Sequence, residues 1–375
     1  MKILIVDKTA GLYSSHERHQ ALGSLPGVDL HVVGPRHWIE SGRVVAWTPT
    51  PQNAYTSYLG RVFGKDYYAR VGYYNGLGRA LRQAQPDIIQ LLEEPWSISA
   101  LQTVYAAALF APTARILFYT WENIYRPWTY PSRASWLYAK IDKTLHCVSS
   151  GAVCATVSAL EVLRQKGYGH PAAVIPYGIP SVFFAGGIAT AAEPRPFTIG
   201  YVGRFLYMKG IDLLLEALAQ LPECRLLLVG SGDEEESFRQ KARQFHIADR
   251  VDWMQPLAEH RIPDVLQRMD VFVLPSRTMP HWCEQLGRAA IEAMAVGLPV
   301  IGANSGAIPE VLGEVGLVFE ENQARDLAEK IRNVMADPER RFALSRAGQA
   351  RARAHFTWDR FARDLYAFYI KVLEG

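Results

Sequence analysis

Two apolar runs, residues 2–7 and 197–202, are continuous rather than alternating, and each leads through a loop into a helical stretch. Continuous apolarity suits a parallel strand covered on both faces; a half-exposed strand would alternate. Parallel neighbours need crossover connections, usually helices. Helices are expected at 16–25 and 211–220, and the next strands at 29–33 and 226–229. The same plan therefore starts twice. Between the two starts, residues 185–196 (AGGIATAAEPRP) are small, Pro-containing and without apolar period, which reads as a linker. The expected organisation is α/β. An N-terminal domain covers 1–184, a linker 185–196, a C-terminal domain 197–355, and an amphipathic, aromatic helix the last residues, 356–375.

At 375 residues the chain can supply two cores. Its opening MKILIVD is too short in apolar length for a signal peptide, and no segment approaches the ~18 apolar residues of a membrane span. Cys147, Cys154, Cys224 and Cys283 show no CxxC spacing, so a reduced cytoplasmic setting is expected. Residues 1–180 carry 17 Lys/Arg against 11 Asp/Glu, a net of +6; the remainder carries 23 against 26, a net of −3. The N-terminal half is the basic one.

Residues 284–310, EQLGRAAIEAMAVGLPVIGANSGAIPE, read as loop, helix (287–296), turn, strand (299–303) and loop. Gly297 can end the helix in the left-handed conformation, and Pro299 bars its continuation. Were Glu284 and Glu292 both helical, they would be ~12 Å apart, about the reach of a sugar plus a diphosphate. The amides of Leu286 and Gly287 at the helix start favour an anion. Pairing of Arg288 with Glu292 at i,i+4 is the plainer alternative. Upstream, the loop 203–210 (GRFLYMKG) brings Arg204 and Lys209 to another helix start. There a guanidinium fork and an ammonium suit a diphosphate, although a basic loop on its own is as readily solvated.

The stretch 284–310, with its Glu-Gln-Leu-Gly-Arg, Glu-Ala-Met-Ala-x-Gly-x-Pro-Val and Gly-x-x-Pro-Glu, resembles the E-x7-E signature of the family 4 retaining glycosyltransferases. These have the GT-B fold, and the resemblance covers essentially the whole chain. It implies two Rossmann-like α/β domains facing across a central cleft, with a C-terminal helix crossing back to the first. The implied reaction moves a glycosyl unit from a nucleotide sugar to an acceptor hydroxyl with retention. Arg204 and Lys209 match the family's R-x4-K pair on the departing diphosphate, Glu284 would orient the sugar and Glu292 the ribose. Gly203, Gly230, Met254, Gln255, Gln285, Leu286 and Gly287 would complete the donor side, the base docking near Met254-Gln255. Gly11 is what remains of a glycine-rich loop opposite the phosphates. Trp121 stands where many members carry a His, which leaves that role unassigned.

Asp-x-Asp occurs nowhere in the sequence, so the divalent-ion route of the other large glycosyltransferase fold lacks its ligands. No cofactor is implied, since the nucleotide sugar is a substrate; UDP-sugars are preferred to GDP-sugars from family frequency. The acceptor is a saccharide, a lipid-linked molecule or a small molecule, and no nucleic-acid partner is expected. A GT-B-like epimerase or phosphorylase, and an inert nucleotide-sugar-binding protein, are the rival readings.

In the first half, Glu94, Trp121, Glu122 and Asn123 follow expected strands at 87–92 and 115–119, where α/β ligand sites collect. The alternative is a packing Trp121 and a solvated Glu122. Residues 53–82 interleave six Tyr with Arg61, Lys65, Arg70, Arg79 and Arg82, and Arg126-Pro127-Trp128 and 133–143 add more of the same. This mixture suits a peripheral contact at the inner membrane face, or else a solvated face over core aromatics. Ser158 is expected to cap a helix at 159–166, and Asp233 one beginning at Glu234.

Overall fold

A computed structural model describes residues 1–40, 43–50, 52–64, 71–73, 75–125, 135–187 and 195–375. Lys65, Tyr67, Tyr68, Arg70, Tyr74, Arg126, Pro127, Trp128 and Arg133, singled out above, lie outside them. The chain forms two compact units, 1–178 with 358–375, and 179–357.

In the first unit the elements run β1 (Lys2–Val6), α1 (Tyr13–Gly23), β2 (Asp29–Pro35), a ribbon of β3 (His37–Glu40) with β4 (Arg43–Ala46), and β5 (Thr56–Gly60). A second ribbon, β6 (Val62–Phe63) with β7 (Gly72–Tyr73), precedes α2 (Leu77–Ala84), β8 (Ile88–Leu91), α3 (Ile98–Phe110) and β9 (Arg115–Thr120). The unit then continues with α4 (Ser135–Val148), β10 (Gly151–Cys154), α5 (Val157–Gln165) and β11 (Ala172–Val174). Seven strands pair in the order β11-β10-β9-β8-β1-β2-β5, all parallel.

Both faces of this sheet are covered, which is why β1 is apolar throughout. Leu4 and Val6 point into a core shared with α2, α3 and α4, while Ile3 and Ile5 point into one shared with Leu22 of α1. Ser97 caps α3, its hydroxyl accepting from the Ala100 amide. The cap of α5 is Thr156, not Ser158: the Thr156 hydroxyl accepts from the Ala159 amide at 3.2 Å, so the helix starts two residues earlier.

The second unit holds β12 (Phe197–Val202), α6 (Ile211–Ala219), β13 (Cys224–Val229), α7 (Glu235–Gln244), β14 (Val251–Met254), α8 (Ile262–Leu266) and β15 (Val271–Leu274). These lead to α9 (Arg288–Ala295), β16 (Val300–Ala303), α10 (Ile308–Leu312), β17 (Leu317–Phe319), α11 (Ala324–Ala336) and α12 (Pro338–His355). Its parallel sheet has the order β14-β13-β12-β15-β16-β17. Asp233 does not cap α7. The cap position is Glu234, without a side-chain bond, and the acid first turn (Glu235, Glu236) meets the positive end of the helix instead. The last helix, α13 (Trp358–Glu374), buries Trp358, Phe361, Leu365, Phe368 and Tyr369 in the core of the first unit, against α1.

Candidate functional site

In each sheet the strand order reverses at one place, and there the chain leaves two neighbouring strands in opposite directions. Such switch points, at the C-terminal ends of the strands, open a crevice for ligands. The first lies between β1 and β8, the second between β12 and β15.

At the second switch point, the loop after β12 meets the loop after β15. A short 3-10 turn, Tyr207–Lys209, aims the Lys209 ammonium at Glu284, Nζ to Oε2 at 2.7 Å. Ser276 is fully buried and its hydroxyl donates to the same Oε2 at 2.7 Å. Lys209 also lies over the Trp282 ring, 4.5 Å from its centroid. Arg277, next to Ser276, fastens the two loops together. Its guanidinium donates to both oxygens of Asp212 (2.7 and 2.9 Å) and to the Tyr207 carbonyl (3.0 Å), and its own amide donates to the Met208 carbonyl (2.8 Å). Burial opposes ionisation of Asp212, but the Arg277 charge outweighs it and holds the carboxyl below its ordinary value.

Glu284 is fixed from behind by the turn after β16. The Ala307 amide donates to the Glu284 carbonyl at 2.9 Å, and a side chain on Gly306 would come within 2.3 Å of that oxygen. With its φ of +53°, position 306 is suited to glycine on both counts. Glu284 is therefore in a loop, not in the helix. Helix α9 begins only at Arg288, after Gly287 at φ +71°, so the axial spacing expected for two helical glutamates does not apply. The amides of Leu286 and Gly287 donate to no other group among the described residues, as the amides entering a helix commonly do.

Glu292 has the plainer arrangement. Its Oε1 accepts from Arg288 Nε at 2.8 Å across one turn of α9, and Arg288 also pairs with Glu259. Burial raises the Glu292 pKa, with Arg288 opposing. Arg204 is exposed and makes no ion pair among the described residues; its carbonyl accepts from the Tyr201 hydroxyl at 2.9 Å. Gly203 and Gly230 end β12 and β13 in contact, since a side chain at 230 would strike the Gly203 carbonyl at 1.9 Å. Met254 ends β14, with its carbonyl accepting from the Gly230 amide, and Gln255 beyond it is exposed; Gln285 is half-buried. Every donor-side candidate except Glu292 thus follows or ends a strand of this sheet, on one edge.

At the first switch point the polar groups are more deeply buried. Lys8, just after β1, pairs with Glu93, just after β8, and both are nearly inaccessible. Asp7 accepts from Arg18 at 2.6 Å and lies 3.1 Å from His19. Burial penalises the Asp7 charge, yet Arg18 and His19 together hold its carboxyl well below the usual range. Glu94 accepts from the Thr120 hydroxyl (2.7 Å) and the Trp121 amide (2.8 Å), so it fixes the chain where β9 ends. Loss of hydration, then the Glu122 charge, push Glu94 up to about 7. Glu122 is buried and paired with Lys166, which is also 3.0 Å from Asp142, so the solvated reading of Glu122 fails. The Trp121 ring packs on Tyr119 and Tyr177, Asn123 is half-buried, and Gly11 backs onto Trp47. Tyr55, Tyr58 and Tyr73 are core residues, which corrects the reading of 53–82 as one surface.

Lys8, Asp7, Arg18, Glu93, Ser276, Arg277 and Asp212 went unread in the sequence. Asp7, Lys8, Glu93 and Ser276 follow strands and were within reach of the rule that picked out Glu94. The partners of Arg277 and Arg18 come from elsewhere in the chain and leave no local signal.

The two sheets, their orders and the returning α13 define a GT-B fold. Sucrose-phosphate synthase from Thermosynechococcus elongatus superposes with a TM-score of 0.72 at 19% identity, over 99% of each chain. HepE of Anabaena, solved with UDP, does so with 0.73 at 18%, over 99% of this chain and 100% of that one. Residues 189–351 match the family described as glycosyl transferases group 1. A D-inositol 3-phosphate glycosyltransferase of Segniliparus rotundus is 33% identical over 218 residues, 54% of this chain and 47% of that protein. A GDP-mannose-dependent phosphatidylinositol monomannoside mannosyltransferase of Corynebacterium glutamicum is 34% identical over 163 residues, 42% of each. The chain spans about half the length of the curated relatives it matches.

Proposed function

We propose that the protein is a glycosyltransferase that moves a hexosyl unit from a nucleotide sugar to an acceptor hydroxyl, with retention and without a metal ion. The observation that carries this reading is the Lys209–Glu284–Ser276 cluster at the second switch point, with Arg204, which makes no ion pair among the described residues, on the same loop as Lys209. The barrier to transfer is charge: the sugar becomes oxocarbenium-like as the diphosphate departs. Arg204, Lys209 and the amides of Leu286 and Gly287 stabilise the diphosphate, and cations already in place do so without reorganisation. The Glu284 carboxylate, anchored by Ser276, faces the developing positive charge on the sugar. Once the diphosphate takes Lys209, that carboxylate is freed for sugar hydroxyls.

UDP-sugars remain the first choice. The GDP-mannose dependence of a relative makes GDP-mannose the donor to test beside them. The first unit takes the acceptor, a saccharide, a lipid-linked molecule or a small molecule, at the β1/β8 edge. The protein works in the cytoplasm, in peripheral contact with the inner membrane face; none of the described helices is long and apolar enough to cross a membrane.

The test is turnover with a panel of UDP- and GDP-sugars in EDTA, with the anomeric configuration of the product read by NMR. The reading expects acceptor-dependent nucleotide release that survives the chelator, with a retained anomer. Nucleotide-sugar interconversion without an acceptor would favour the epimerase alternative. Binding of donor without any turnover would favour an inert binder.

A further inference from the structure

Helices α2, α3 and α4 lie side by side on one face of the first sheet, each packed on the next. Their inward residues are ordinary core: Leu77, Leu81, Ala100, Ala107, Tyr138 and Ile141. Their outward residues are not an ordinary surface. Helix α3, ISALQTVYAAALF, has no charged residue along its 13 positions. Its exposed positions are Tyr105, Ala108 and Leu109, with Tyr105 64% and Leu109 75% accessible. A soluble protein normally places charge on the outer stripe of a surface helix. On α4, the next helix, Trp136 is 61% accessible, with Leu137 beside it and Lys140 and Lys143 following. The Lys140 ammonium lies 5.1 Å from the Trp136 ring. Helix α2, on the other flank, exposes Arg79 and Arg82.

The three helices together contain one carboxylate, Asp142, and it is buried against Lys166. The outer surface of these helices therefore carries Tyr105, Leu109, Trp136 and Leu137 with cations on α2 and α4, and no exposed carboxylate. Exposed apolar residues scattered singly mean little; here four large ones stand on two adjacent helices that carry no exposed carboxylate. Aromatic and leucine side chains beside lysine and arginine match the boundary between acyl chains and anionic headgroups, where each is stabilised in its own layer. A protein partner would need an acidic rim around an apolar centre; a bilayer offers both components everywhere.

We propose that the α2–α3–α4 face docks the protein on an anionic phospholipid bilayer, with Tyr105, Leu109, Trp136 and Leu137 entering the interface and Arg79, Arg82, Lys140 and Lys143 on the headgroups. This rests on the peripheral membrane contact put forward above and assigns it to a surface. Of the stretch 53–82 it keeps Arg79 and Arg82 and leaves out Tyr55, Tyr58 and Tyr73, which are core.

The experiment is co-sedimentation of the whole protein with vesicles of phosphatidylcholine alone or mixed with phosphatidylglycerol. Turnover of donor by a soluble acceptor is followed in parallel, without vesicles. Binding is expected on the anionic vesicles, weaker on neutral ones, and released at ~1 M salt, where the Debye length is ~3 Å. The triple variant Tyr105→Ser, Leu109→Ser, Trp136→Ser should bind at least ~10-fold less, since each side chain loses apolar burial. Lys140→Ala with Lys143→Ala should weaken the preference for anionic vesicles, whereas Phe342→Ser, an exposed aromatic of the second unit, should change nothing. Circular dichroism checks that the variants fold.

Absence of binding by the parent protein, or undiminished binding by the folded triple variant, overturns the assignment. So does a concentration-dependent dimer in light scattering that the triple variant abolishes, which would make the face a contact between copies. Preserved turnover in soluble medium alongside failed sedimentation sinks only the surface. Loss of turnover in the parent protein sinks the enzymatic reading instead.

Discussion

The two switch points share a geometry and differ in charge. At the first switch point the buried and half-buried cations already have carboxylates: Lys8 has Glu93, Arg18 has Asp7, Lys166 has Glu122 and Asp142. Glu94 is left with hydrogen-bond donors only, Thr120 and Trp121. In the second unit Lys209 has one partner, Arg204 has none among the described residues, and a helix start adds two amides. A saturated edge gains little from an anion and can offer buried acceptors and donors to hydroxyls. An edge with spare positive charge selects a diphosphate. In our reading the same α/β plan thus provides two kinds of site, and the difference lies in which ion pairs are completed among the described residues.

Neutralising Glu284 should produce the largest effect on this comparison. Glu284→Gln keeps the shape and the Ser276 hydrogen bond but removes the charge opposite Lys209, so kcat should fall by ~10²-fold, the scale of one electrostatic contact to a transition state. Steady-state kinetics with varied donor at saturating acceptor reads it. A change in KM alone would mean that Glu284 holds the donor without acting on the reacting centre. A smaller loss is expected at Glu292, which is bonded to Arg288 and faces the ribose in our reading. Glu292→Gln should raise donor KM by ~3- to 10-fold with kcat nearly unchanged, a loss of uniform binding. A collapse of kcat there would reverse the two roles.

The smallest effect concerns the first unit and needs the sign worked out. Glu94 titrates near 4.5 when unfolded and at about 7 when folded, so the folded state holds the proton more tightly. The resulting stabilisation is complete below pH 4.5 and is lost as pH rises through about 7. Replacing Glu94 with Gln should remove that part of the slope from urea melts taken across this window. Parallel curves for the two proteins would show that the carboxyl is ionised throughout and that the charge comparison above is wrong at its most exposed point.

Much of the fold was legible because burial on both faces writes itself into the sequence as continuous apolar runs. β1, β9, β12 and β16 were expected within a residue or two of where they are. The short edge strands β3, β4, β6, β7, β11 and β17 were not, since two to four residues carry too little pattern. Thr156 and Ser158 are both plausible caps in sequence, and only the hydrogen bond to Ala159 decides between them. Among positions in the candidate site, Lys209 and Glu284 were readable from loops that lead into helix starts, and Glu94 from its place after a strand. Their partners were not. Lys209 and Glu284 are 75 residues apart, Lys8 and Glu93 are 85 apart, and only the strand order brings them together. The Arg288–Glu292 pair is one turn of helix and was foreseeable.

The central claim is that the second switch point, and not the first, holds the nucleotide diphosphate. Hydrogen–deuterium exchange with and without UDP or GDP tests it most directly, because it reads location without requiring the acceptor or the sugar to be known. Slower exchange is expected in peptides covering 203–210 and 284–288, with 7–11 and 91–94 unchanged. Protection confined to the first-unit edge, with the 203–210 and 284–288 peptides unaffected at saturating nucleotide, would contradict the account.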